Sequence, residues 1–128
     1  MRYLTAGEIL VLHARVVDAT GGSHGVRDPH LLASIAFKPQ ARFRDRELYK
    51  GVFTKAAVLL EAIANYHVFV DGNKRTSLIA TARFLFLNGY ELVTDNKDTE
   101  RAVLAVAKKE IELKELAVWL KKNVRKMN

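Results

Sequence analysis

Cysteine is absent from this 128-residue chain, which excludes a disulfide framework, a thiolate metal site and a cysteine nucleophile. Absent too is any apolar run of about 18 residues, the length that a membrane-crossing helix needs. The opening MRYLTAGEIL is charged early and contains no cleavable apolar segment. The expectation is therefore a soluble, cytoplasmic protein with no membrane partner. No repeat, low-complexity tract or linker divides the chain, so one domain over residues 1–128 is expected, long enough for a single packed core.

What is present is apolar and basic. Hydrophobic residues make up 49% of the chain, and the formal net charge of +7 favours an anionic partner. Thr5 with Glu8 forms a capping-box pattern, and Ile9, Leu12, Val16 and Val17 follow at helical spacing up to Gly21 and Gly22. Asp28 before Pro29 opens a second helix through Leu31, Leu32 and Ile35, with a stop predicted at Pro39. The charged stretch 40–49 reads as a loop or short hairpin. Segments 48–66 and 74–88 are apolar around most of their circumference, apart from Arg83 and the first turn of the latter, and read as two buried helices packed together. Gly89 suits a left-handed C-terminal cap. After YELVTD, two amphipathic helices are predicted over 99–109 and 113–124, the last burying Leu113, Leu116, Ala117 and Leu120. The predicted fold class is all-α.

The connection between the two central helices carries the chemistry. It begins HVFVDGNKRT, residues 67–76. Asn73 suits an N-cap and Gly72 tolerates a positive φ, so the N–H groups of Lys74, Arg75 and Thr76 are expected to point outward as an anion cradle. Two cations in a first turn oppose the helix dipole by roughly 0.3–1 kcal/mol each, which makes sense when something negative sits there. This is no Walker loop, since His67 stands where GxxxxGK[ST] needs glycine. His67 could accept a proton from an attacking hydroxyl, and Asp71 could anchor Mg²⁺ beside phosphates. Base, metal ligand and phosphate clamp are what phosphoryl or nucleotidyl transfer requires. The same spacing also fits a helix cap beside a surface imidazole. His13 reads as a packing residue, His24 and His30 as loop residues, and Trp119 with Phe84 and Phe86 as core. The basic residues Lys38, Arg42, Arg44, Arg46 and Lys50, interrupted by Asp45 and Glu47, read as a solvated face.

HVFVDGNKRT closely resembles the signature of the Fic/Doc superfamily, and Lys74, where AMP-transferring Fic enzymes carry glycine, is similar to the Doc branch, the death-on-curing toxins. RDPHLLASIAFKPQARF, LYKGVFTKAAVLLEAIANY and TSLIATARFLFLNGYEL also resemble Doc-family segments. The resemblance implies a compact helical bundle with the signature loop between two central helices. It implies catalytic roles for His67, Asp71 and Arg75, with Asp71 as the Mg²⁺ ligand and Phe69 as the loop's core anchor. Gly72, Asn73, Lys74, Arg75 and Thr76 would form the nucleotide-binding turn, and Arg42, Phe43 and Arg44 would lie in a flap that aligns the target peptide.

The implied reaction transfers the γ-phosphate of ATP to a protein hydroxyl, with a threonine of elongation factor Tu as the expected target and translation as the process inhibited. The implied partner is a Phd-like antitoxin acting in trans. The chain lacks the inhibitory pattern [ST]xxxE[GN], and Leu78 stands where the wider Fic signature has its second arginine. Val68 replaces a proline common in relatives, and Gly72 an alanine expected of Doc-type chains. Two other readings are AMP transfer to a protein and a catalytically weak corepressor partner of the antitoxin. Direct nucleic-acid binding is not expected, because the basic residues are scattered and no helix-turn-helix signal is present.

Overall fold

The computed structural model describes residues 1–128. Its first helix, α1 (Ala6–Thr20), starts where the capping box requires: Glu8 N–H donates to Thr5 Oγ1 at 3.1 Å, and Thr5 N–H donates to Glu8 Oε1 at 3.0 Å. Ile9, His13, Val16 and Val17 form its buried stripe. Helix α2 (Pro29–Phe37) is capped by Asp28, whose carboxylate accepts from Leu31 N–H at 3.1 Å. Helix α2 ends at Phe37, two residues before Pro39, in line with the stop predicted there. The backbone tightens into a 3₁₀ turn, Lys38–Gln40, because proline's fixed φ suits a first helical turn in which its missing N–H costs nothing.

A short antiparallel hairpin follows, β1 (Arg42–Phe43) with β2 (Arg46–Glu47), pairing Arg42 with Glu47 and Phe43 with Arg46. Gly51, at φ +84°, then delays α3 to Val52–Asn65, so Leu48 stays outside the helix and exposed. Helix α3 is the axis of the fold. Nine of its residues are buried, and it packs against α4 (Asn73–Leu87), α5 (Asn96–Ala107), α6 (Leu113–Lys122) and the 3₁₀ turn. Small residues at the contact, including Ala56, Ala57 and Ala80, let the helices approach closely.

The buried face of α4 corrects the reading of 74–88 as apolar around most of its circumference. Thr76, Ser77, Ala80, Thr81, Phe84 and Leu85 point inward, while Ile79 and Phe86 face solvent. Two of the buried hydroxyls are satisfied within the helix, Ser77 Oγ donating to Lys74 O at 2.6 Å and Thr81 Oγ1 to Ser77 O at 2.7 Å, so a polar residue can occupy the inner face.

The all-α expectation describes the framework; the hairpin is one of the two forms read for 40–49, whereas the second strand pair, β3 (Tyr90–Leu92) with β4 (Val124–Lys126), was not foreseen. The C-terminal helix ends at Lys122, where Asn123 Nδ2 donates to Trp119 O at 2.8 Å, and the residues beyond it pair with β3. Strands this short cannot display a period-2 pattern. No helix is long and apolar enough to cross a membrane.

Candidate active site

Seven residues, 66–72, connect α3 to α4. Tyr66 caps α3, and His67 follows at φ +52°. A side chain in this left-handed region costs roughly 1–2 kcal/mol, a position that glycine usually fills, although histidine is among the residues found there more often than most. His67 is exposed and takes no part in the chain's hydrogen bonds or ion pairs.

The next residues are fixed by a strap from the α1–α2 connection. Arg27 N–H donates to Val68 O at 2.8 Å, Val70 N–H donates to Gly25 O at 3.1 Å, and Val26 bridges Phe69. Ser23 N–H donates to Asp71 Oδ2 at 2.9 Å. Gly25 belongs in this strap because its φ is +141° and a Cβ there would lie 3.1 Å from Val70 Cγ2. Phe69 is fully buried and stacks on His13, with ring centroids 3.8 Å apart and planes 5° from parallel. His13 Nε2 also lies 2.8 Å from Asp71 O. A carbonyl can only accept, so Nε2 carries the proton.

Asn73 takes a different place from the predicted one. Gly72, at φ +77°, is the N-cap, and Asn73 is the first residue of α4. Its amide closes a ring with Phe69: Phe69 N–H donates to Asn73 Oδ1 at 3.0 Å, and Asn73 Nδ2 donates to Phe69 O at 2.9 Å. These bonds use Oδ1 and one Nδ2 hydrogen, so a single amide N–H of the side chain remains without a partner. Thr76 is also corrected: it is wholly buried, and its N–H bonds Gly72 O at 2.9 Å. The cradle is therefore shifted by one residue. Its donors are the N–H groups of Asn73, Lys74 and Arg75, which the helix leaves unpaired.

Lys74 and Arg75 are exposed at this helix start and form no ion pair. Beside them runs a groove of about 240 Å³, walled by Leu78, Val103 and Leu104. Larger grooves of about 560 and 550 Å³ lie along α1 and at the start of α3; His67 and Asp71 line none of the three, and the smaller one is distinguished by Lys74 and Arg75 in its wall. The structure gathers no three His, Asp or Glu side chains into a cluster, so Asp71 is the lone carboxylate of the turn.

Arg42, Phe43 and Arg44 all lie on the exposed hairpin. Arg42 Nη2 donates to Asp45 O at 2.6 Å, and the Arg44 guanidinium sits 5.3 Å from the centroid of the Phe43 ring. Lys55, which sequence reasoning passed over, is 1% exposed; its ammonium donates to Pro39 O at 2.9 Å and lies 3.2 Å from Glu47 Oε1. Lys38 Nζ donates to Tyr66 Oη, linking the root of the hairpin to the residue beside His67. His13 was legible as a polar break in an apolar stripe, but the sequence names no partner for it. His24, by contrast, pairs with Asp18 at 2.9 Å on the surface.

A model of the Fic/DOC family matches residues 3–85. The chain is 38% identical over 120 residues to Toxin Doc of Mycolicibacterium smegmatis, an alignment covering 91% of this chain and 85% of that protein. It is 32% identical over 122 residues to Protein kinase doc of Escherichia phage P1, with 95% of each chain covered.

Proposed function

The chain belongs to the Fic/Doc family, in its Doc branch, and on that footing we propose that it is a toxin that phosphorylates a protein hydroxyl with ATP. The observation that carries the reading is one turn holding an unpaired imidazole, His67, and an anion cradle of three free N–H groups flanked by unpaired Lys74 and Arg75. His67 takes the proton of the target hydroxyl as its oxygen attacks the γ-phosphorus. The bond from that phosphorus to the β–γ bridging oxygen breaks, and ADP leaves with the electron pair. Lys74, Arg75 and the free N–H groups hold the phosphates and offset the charge that develops on them.

Asp71 Oδ2 already accepts from Ser23, while Oδ1 makes no hydrogen bond, so one exposed carboxylate oxygen fits Mg²⁺. A Mg²⁺ ion held by one carboxylate, water and substrate phosphates would neutralise phosphate charge. The groove beside Lys74 and Arg75 suits the nucleoside, and the hairpin with Arg42, Phe43 and Arg44 suits the target peptide. The proposed target is a threonine of elongation factor Tu, so the process inhibited is translation. Control comes from a Phd-like antitoxin in trans, drawn by the net charge of +7. A specific observation disfavours AMP transfer: Leu78 lines the groove where an arginine would grip a further phosphate.

The test is the intact mass of elongation factor Tu after incubation with this protein, ATP and Mg²⁺. One added phosphate is expected; one added AMP supports the alternative reaction, and no change sinks the proposed target. His67→Gly should cut transfer by about 10²-fold or more. It should leave the melting temperature unchanged or raised, since glycine relieves the left-handed backbone.

A further inference from the structure

We infer that His13 is a positioning residue for the turn, holding the Asp71 carbonyl so that α4 begins one residue later than it otherwise could. The inference rests on the cradle proposed above as the phosphate site. If packing were its sole purpose, the place of His13 on the buried stripe of α1 would suit leucine. The imidazole instead does two things an aliphatic side chain cannot. It stacks face to face on Phe69 at 3.8 Å, and it donates from Nε2 to Asp71 O at 2.8 Å, across 58 positions of sequence.

That second contact decides which backbone donors remain free. Residue 71 lies four positions before Arg75, so the Asp71 carbonyl is the natural helical acceptor for the Arg75 N–H. Gly72 can leave its left-handed conformation for the helical one at little cost. Without a competing donor, α4 would extend backward by one residue, Asp71 O would capture the Arg75 N–H, and the cradle would lose a donor. The same shift would turn the Asp71 carboxylate away from Ser23. His13 prevents it by occupying the carbonyl from the core side, where solvent cannot compete because the imidazole is 1% exposed.

The test compares His13→Phe, which keeps the stacking ring and removes the donor, with His13→Gln, which restores an N–H donor without the ring. His13→Met stands in for His13→Phe if the latter fails to fold, being close in length to Gln and lacking the donor. Two readouts are taken on the full chain: phosphate transfer at saturating protein target, and amide hydrogen exchange at Arg75. In the wild type the Arg75 amide should exchange fast. In His13→Phe it should become protected, and transfer should fall by about 10²-fold, the scale that misplacing a positioned group produces. His13→Gln should recover most of both. The idea is overturned if Arg75 stays unprotected in His13→Phe, or if the Phe and Gln variants lose transfer equally in proportion to their melting temperatures. Should the wild type transfer no phosphate, the proposed reaction fails, and the Arg75 exchange alone decides the role of His13.

Discussion

The turn before α4 and the hairpin before α3 are built to opposite standards. From Val68 to Asn73 the turn is held from three directions: the strap 23–27, the His13 imidazole, and the Asn73 amide that ties Phe69 to the helix start. The hairpin has strands of two residues, exposes Phe43, and turns through Arg44 at φ +59°. Its one deep anchor is the Lys55 ammonium beneath it. Groups that act on reacting atoms lose rate steeply when displaced. A surface that grips a polypeptide can instead adapt side chains to its partner. Under the proposed function the contrast becomes a division of labour, in which the turn performs the transfer and the hairpin presents the target.

Breaking the turn should have the largest effect. Asn73→Ala removes both bonds to Phe69 and leaves a part-buried N–H and C=O without partners, at a cost of about 2–4 kcal/mol. Transfer should fall by more than about 10²-fold, because the Phe69–Gly72 path no longer fixes Asp71 or the cradle. Urea unfolding and a transfer assay on the same preparation check this. Wild-type transfer by a destabilised Asn73→Ala would show that the turn need not be rigid, and the contrast with the hairpin would lose its meaning.

This division was only half visible in the sequence. Local rules reached the helix framework because caps and apolar stripes are written in consecutive residues: Thr5 with Glu8, and Asp28 with Pro29, begin helices where their chemistry requires. The motif 67–76 was equally legible as a helix start with free N–H groups. Its register was not, because an asparagine before two cations is a good cap until Phe69 claims its amide, and that pairing depends on how the loop folds back. His13, Ser23 and Gly25 reach the turn from 45 to 58 positions away, a separation that no local pattern encodes. Lys55 was hidden for a related reason: a lysine in an apolar helix reads as a snorkelling surface residue unless its acceptors, Pro39 O and Glu47, are known.

Loosening the hairpin should have a smaller and different effect. Lys55→Met keeps the length of the side chain and removes the ammonium. Glu47 is partly exposed and can rehydrate, so the cost should be about 1–2 kcal/mol rather than the larger value for a charge stranded in the core. The hairpin would then sample more positions, raising KM for the protein target by about tenfold while kcat and KM for ATP hold near wild type. Steady-state kinetics with each substrate varied in turn separates these. A fall in kcat with KM unchanged would mean that the hairpin takes part in the transfer step, contrary to the division proposed.

The smallest effect is expected at the link between the two regions, Lys38 to Tyr66. Burial alone would lower the Lys38 pKa; the hydrogen bond to Tyr66, with the nearby Tyr66, Tyr49 and Glu61 groups, outweighs it and raises the pKa above the ordinary 10.5. A raised pKa in the folded state means that folding favours the protonated amine. The stabilisation is complete below the unfolded value near 10.5 and is lost as pH rises through the folded value. Lys38 is only partly buried, so solvent screening keeps the contribution small. Melting temperatures of wild type and Lys38→Met, taken from about pH 8 to about pH 11, should differ by a constant small gap that closes only at the alkaline end. Transfer near neutral pH should change by less than about twofold, since the link touches neither the cradle nor Asp71. A gap that widens with rising pH would reverse the sign argued here. A large loss of transfer would mean that the turn depends on the hairpin through Tyr66, so that the two regions act as one.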